Sequence, residues 1–150
     1  MINLDKIQIG GIILAGGKSR RMDYSDKSLK KINKKTLIEL VYRKAKKQVD
    51  VVAINSNVIA NFKNLKNIEF LKDSIPGNLG PLSGILTGLE WLKKKNCKFK
   101  WLITFPVDSP FFPDNLVAKL YSGVKQEKIV IAKSGDRLHP VFAMWHLDLY

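Results

Sequence analysis

The sequence predicts an α/β fold in which strands and helices alternate and ligand groups gather where parallel strands end. Three observations predict it. Short apolar runs at residues 7–14, 51–55 and 101–105 have the β-branched and aromatic content of buried strands. Helix signals lie between them: the capping box Thr36-x-x-Glu39, and Pro81 at the head of a segment with Ile85, Leu89 and Leu92 on one face. Each run also gives way to glycine or a polar side chain, namely Gly16-Gly17, Asn55 and Asp108.

Taken in order, residues 7–14 read as a buried strand, after which Gly16-Gly17 lets the backbone turn where a Cβ would obstruct a nearby ligand. The capping box starts a helix over 36–48, with Leu37, Leu40, Val41 and Ala45 at helical spacing. A strand at 51–55 and another at 68–71 follow, joined by a polar, Asn-rich connection over 57–67 with room for a short helix. Pro76, Gly77 and Gly80 make 74–80 a loop, and a helix runs from Pro81 to about residue 94. The strand at 101–105 leads into Pro106-Val107-Asp108-Ser109-Pro110, and Pro113-Asp114 opens a helix through 121. Strands at 129–132 and 141–145, turning at Gly135-Asp136-Arg137, suit an antiparallel pair.

Composition bounds the function classes. The 150 residues, 45% of them hydrophobic, suit one domain with its own core. A single cysteine, Cys97, excludes an internal disulfide framework and a cysteine-based zinc site. No apolar run reaches the ~18 residues of a membrane span, and residues 1–17 do not read as a cleaved signal peptide, so a cytoplasmic protein with no membrane partner is expected. Twenty-six Lys plus Arg against 13 Asp plus Glu give a net +13, which raises the question of nucleic acid. The lysines at 44, 46, 47 and 93–95 fall on ordinary solvated helix faces without interleaved aromatics, which argues for background charge that steers anions, and against a nucleic-acid surface.

The segment from Leu14 to Lys27 carries the sharpest chemistry. Gly16-Gly17 exposes backbone N–H groups, and Lys18, Arg20, Arg21 and Lys27 supply positive charge, a combination suited to a triphosphate and the pyrophosphate released from it. It lacks both G-x-x-x-x-G-K-[ST] and G-x-G-x-x-G, so neither a Walker loop nor a dinucleotide fingerprint is present. Asp108, stiffened by Pro106 and Pro110, is either a Mg²⁺ ligand or a turn cap. Asn55 and Asp73 either address a base or ribose or serve as turn residues. Gly80-Pro81-Leu82-Ser83-Gly84 lets a helix N-terminus approach a nucleotide, or is a plain loop-to-helix junction. His139, next to Arg137, is a donor to an anionic substrate or a structural histidine, and Trp91, Trp101 and Trp145 suit the core better than base stacking.

Together, Leu14-Ala15-Gly16-Gly17-x-x-x-Arg21-Met22 with Asp26-Lys27, Gly80-Pro81-Leu82-Ser83-Gly84, Pro106-Val107-Asp108-Ser109-Pro110 and Arg137-Leu138-His139-Pro140 resemble the nucleotidyltransferases that activate sugars and cofactors, most closely the molybdenum cofactor guanylyltransferase (MobA-type) family. The motifs span about residues 7–145, and their combination is far more specific than any one of them. The resemblance implies a Rossmann-like three-layer α/β/α sandwich with a mostly parallel mixed sheet, binding GTP and Mg²⁺ at the strand ends. It implies that Leu14, Ala15, Gly16 and Gly17 meet the guanine nucleotide, with Gly80 close by. Lys27 would meet the phosphates, Asn55 and Asp73 the nucleoside portion, and Asp108 the metal. Arg21, Lys27 and Asp108 are the implied catalytic residues.

The implied reaction is attack by a terminal phosphate of molybdopterin on the α-phosphorus of GTP, with no covalent enzyme intermediate, inside a pathway whose partner proteins take the product onward. Two departures from the family pattern stand out. Asp23 occupies the position after Arg-Met where glycine is usual, placing an acid near the expected triphosphate. The chain also stops at Tyr150, before the C-terminal strand, helix and Asn-rich motif the resemblance leads one to expect. The alternatives are a sister enzyme using CTP or another acceptor, and a catalytically silent protein that holds nucleotide or cofactor.

Overall fold

A computed structural model describes residues 7–16, 27–58, 62, 65, 67–77 and 79–150, with Lys27 described by its backbone. Eight strands and three α-helices are present among them. In chain order they are β1 (Gln8–Leu14), β2 (Lys31–Ile32), β3 (Lys35–Thr36), α1 (Leu37–Ala45), β4 (Val51–Asn55), β5 (Glu69–Leu71), α2 (Pro81–Lys93), β6 (Phe99–Pro106), α3 (Leu116–Ser122), β7 (Ile129–Ser134) and β8 (Arg137–His146). Single 3-10 turns, Lys27–Leu29 and Leu147–Leu149, complete the set.

Six strands form one sheet in the order β5-β4-β1-β6-β8-β7. The pairs β1–β4, β1–β6 and β4–β5 are parallel, whereas β8 runs antiparallel to both β6 and β7. The period of two along each central strand decides which layer each side chain joins. Ile13 of β1 and Trp101, Ile103 and Phe105 of β6 face a core shared with Ile38 and Val41 of α1 and Leu116 and Leu120 of α3. Ile12 and Leu102 face the opposite way, toward Ile85, Leu89 and Leu92 of α2. Helices thus cover both faces, as the unbroken apolar runs of a parallel sheet require, and the three-layer α/β/α sandwich with a mostly parallel mixed sheet is confirmed.

Several boundaries differ from the sequence reading for local reasons. Helix α1 occupies Leu37–Ala45, with Thr36 outside it as N-cap, and residues 46–48 form a turn. The helix expected from Pro113 starts at Leu116, because Val117 N, which a helix from Pro113 would aim at Pro113 O, donates to Gln48 Oε1 at 3.0 Å instead, and Leu116 N closes a tighter turn on Pro113 O at 3.2 Å. The closing hairpin is longer than expected, β7 reaching Ser134 and β8 starting at Arg137 around Gly135. The β2–β3 hairpin was not anticipated; Asn33 and Lys34 occupy its tip at φ +48° and +69°. Most of the 57–67 connection lies outside the described residues, so the short helix considered there is not described.

Candidate nucleotide site

The strand order creates the site before any side chain is considered. The chain leaves β1 toward β4 on one side of the sheet, whereas from β6 it continues toward β8 and β7 on the other. Neighbouring parallel strands whose connections diverge open a crevice beyond their carboxyl ends, the usual binding place in such sheets. The end of β1, as far as Gly16, and the loop after β6 flank that crevice.

Backbone hydrogen bonds carry the sheet past its last strand residues and draw the loops together. Val107 N donates to Leu14 O at 3.2 Å, Ala15 N to Asn55 O at 2.9 Å, and Ser56 N to Leu71 O at 2.9 Å. Leu14, Ala15 and Gly16, Asn55, Asp73 and Asp108 therefore emerge from one edge, at four adjacent strand ends. Had Asp108 lain across the molecule from Gly16, no shared crevice would exist.

On one flank stands a polar cluster built on β4 and β5. Asn55, only 3% exposed, donates from Nδ2 to Leu71 O at 3.3 Å and to Asp73 Oδ1 at 2.9 Å. Asn57 Nδ2 donates to Asp73 Oδ2 at 2.9 Å, and Asp73 N donates back to Asn57 Oδ1 at 3.0 Å. The following Ser74 N is held by Thr87 Oγ1 of α2 at 2.9 Å. Sequence reasoning overlooked Asn57. The signal was its spacing from Asn55, since residues two apart in extended chain share a face.

The start of α2 backs onto this cluster. Gly80, at φ +82°, precedes Pro81, whose missing N–H would have found no helical partner at that position. One turn on, a Cβ at Gly84 would sit 2.5 Å from Asn55 Oδ1 and 2.7 Å from Leu14 Cδ2. Glycine there lets the first turn of the helix press against both β1 and β4.

On the other flank, Asp108 is exposed, and Ser109 Oγ donates to its Oδ1 at 3.3 Å. The loop behind it is braced by α1 and the turn after it: Lys44 Nζ donates to Phe112 O and lies 3.2 Å from Asp114, Gln48 Nε2 donates to Pro113 O at 3.1 Å, and Gln48 Oε1 accepts from Val117 N at 3.0 Å. A rigid loop carrying one open carboxylate suits a cation that keeps most of its water and phosphate ligands. No group of three or more His, Cys, Asp or Glu is arranged to hold a metal among the described residues, and Asp108 alone fits the role of a single protein ligand.

Residues 11–149 match the family profile described as the MobA-like NTP transferase domain. This chain belongs to that family. It is 35% identical to the molybdenum cofactor guanylyltransferase of Nitrobacter hamburgensis over 141 residues, covering 93% of this chain and 68% of the relative. It is 39% identical to that of Haemophilus influenzae (strain 86-028NP) over 145 residues, covering 95% and 73%. Among solved structures, molybdopterin-guanine dinucleotide biosynthesis protein A of Archaeoglobus fulgidus superposes with a TM-score of 0.71 at 22% identity, over 93% of this chain and 68% of that one, a likeness of fold. The chain spans from 65% to 73% of the length of the first curated relatives it matches.

Of the residues singled out from sequence, Leu14, Ala15, Gly16, Asn55, Asp73 and Asp108 lie at the four strand ends, and Gly80, singled out with them, stands at the head of α2. Gly17, Arg21 and Asp23, together with the Lys27 side chain, lie outside the described residues, although the Lys27 backbone opens a 3-10 turn. Arg137 and His139 sit on β8, where His139 Nε2 is 2.7 Å from Ser134 Oγ across the hairpin. That is a local contact. Trp91 and Trp101 are buried, and Trp145 Nε1 donates to Thr104 Oγ1 at 3.3 Å, which leaves none of the three as a base-stacking platform.

Proposed function

We propose that this chain transfers the guanylyl group of GTP to the terminal phosphate of molybdopterin with release of pyrophosphate, a cytoplasmic reaction. The observation that carries the reading is the shared edge at the switch point, with the end of β1 reaching it at Gly16, an amide–carboxylate cluster at Asn55 and Asp73, and the open carboxylate of Asp108. The names of its curated relatives supply the nucleotide and the acceptor.

In this reading an oxygen of the acceptor phosphate attacks the α-phosphorus of GTP. A new P–O bond forms, the bond between the α-phosphorus and its bridging oxygen breaks, and pyrophosphate leaves with the electron pair. Asp73, held in place by Asn55, orients the nucleoside, and the backbone at Gly16, next to Leu14 and Ala15, approaches the nucleotide with no side chain of its own in the way. We assign Arg21 and Lys27 to the negative charge that builds on the leaving pyrophosphate. Asp108 would hold Mg²⁺, which supplies charge neutralisation at the α-phosphate when bound.

Pyrophosphate release measured with GTP or CTP, with and without molybdopterin, tests this. The expected result is release that needs both GTP and molybdopterin, falling ~100-fold or more in Asp108→Ala and Lys27→Ala, the loss typical of removing one contact to developing charge. Preference for CTP would contradict the base assignment, and nucleotide binding without transfer would contradict the reaction.

A further inference from the structure

We propose that Asn57 is a positioning residue for nucleoside recognition: together with Asn55 it fixes the Asp73 carboxylate so that its remaining lone pairs meet N–H or O–H donors of the bound nucleoside. This rests on the nucleotidyl-transfer reading of the same site and names a residue that reading does not use.

The bonding is reciprocal. Asn57 Nδ2 donates to Asp73 Oδ2 at 2.9 Å while Asp73 N donates to Asn57 Oδ1 at 3.0 Å, so side chain and backbone of Asp73 are held by one amide. Asn55 Nδ2 takes the other oxygen, Oδ1, at 2.9 Å. Each carboxylate oxygen thus spends one lone pair on a neutral amide and keeps another. In a chain of net charge +13, no Lys or Arg pairs with Asp73 within 4.0 Å among the described residues. Among the described residues its carboxylate is oriented by neutral amides, which leaves acceptor capacity for a ligand.

Closing the turn after β4 does not require Asn57. Ser56 does that, with N donating to Leu71 O at 2.9 Å, Oγ donating to Val58 O at 3.0 Å and Val58 N within 3.2 Å of the same Oγ. What Asn57 adds is the second hold on Asp73, without which one bond from Asn55 alone restrains that side chain and its rotamer is less well fixed.

The test compares wild type with Asn57→Ala and Asn57→Asp, each also in an Asp73→Ala background, by calorimetric affinity for GTP, ITP and dGTP, steady-state kinetics and Tm. Asn57→Ala is expected to raise KM for GTP by about three- to tenfold, the scale of freeing one side chain, with kcat and Tm nearly unchanged. The preference for GTP over ITP narrows if Asp73 meets the base, and over dGTP if it meets the ribose. Asn57→Asp, which keeps the shape but sets a carboxylate against Asp73 Oδ2, is expected to lose more than alanine. Neither substitution should matter once Asp73 is alanine. Wild-type affinity and preferences in both variants, or equal losses with and without Asp73, would overturn the assignment while leaving the proposed function intact. Failure of wild type itself to bind any of the three nucleotides would overturn both.

Discussion

At Gly84 the fold leaves no room for a single carbon. A methyl group there meets Asn55 Oδ1 at 2.5 Å and Leu14 Cδ2 at 2.7 Å, so Gly84→Ala must push α2 outward or turn the Asn55 amide away from Asp73. Either movement disturbs the cluster assigned to the nucleoside. Gly84→Ala is therefore expected to destabilise the protein by about 1–3 kcal/mol, as overpacking does, and to weaken GTP binding as well; calorimetry with a thermal melt reads both, and unchanged affinity would contradict the placement of Asn55. At this scale Asp108 was half legible. Its flanking prolines announced a stiff loop, but whether the carboxylate faced solvent or capped a turn was not written in them; in the fold Asp108 is exposed, and the chain just beyond is tied down by Lys44 and Gln48, far away in sequence.

Among the elements, α1 shows how local signals and long-range contacts divide the labour. Thr36 N donates to Glu39 Oε2 at 2.8 Å and Glu39 N donates to Thr36 Oγ1 at 3.4 Å, completing the box read from sequence. Thr36→Ala is expected to cost about 1 kcal/mol, lowering Tm by roughly 2–4 °C in a chain of this size. The backbone N–H of Thr36, helped by nearby cations, holds the Glu39 carboxyl below its ordinary value of 4.5. Because the folded value is the lower one, the stability Glu39 adds is present above 4.5 and is lost as pH falls through that folded value. The gap in urea midpoint between wild type and Glu39→Ala is thus expected at about pH 7 and should shrink by about pH 3; a gap independent of pH would contradict it. The β2–β3 hairpin was illegible because its strands have two residues each, and its tip uses Asn33-Lys34 rather than the glycine that usually marks such turns.

Across the whole molecule, the alternation of strands and helices was readable because Ile12, Ile13, Ile54, Leu102 and Ile103, buried on both faces of the sheet, leave unbroken apolar runs. The sheet order was not, since nothing in β6 itself states that it will lie beside β1. That order is what brings four strand ends to one edge. The net charge of +13 acts at the same scale, because exposed pairs such as Lys94–Glu90, at 2.9 Å, offset little of it. Screening this repulsion is expected to raise Tm as ionic strength climbs from ~0.01 M to ~0.15 M, over which the screening length falls from ~30 Å to ~8 Å. The same salt should weaken GTP binding, and a melt and a titration across one salt series separate the two effects.

This edge, and no other surface, is expected to hold the nucleotide. A crystal structure determined after soaking with GTP and Mg²⁺ tests it most directly. The guanosine is expected against Asp73, on the cluster that Asn55 anchors, and the α-phosphate between the Gly16 backbone and a metal bound by Asp108. Density for the nucleotide away from these residues, or phosphates and metal that Asp108 does not approach, would contradict it.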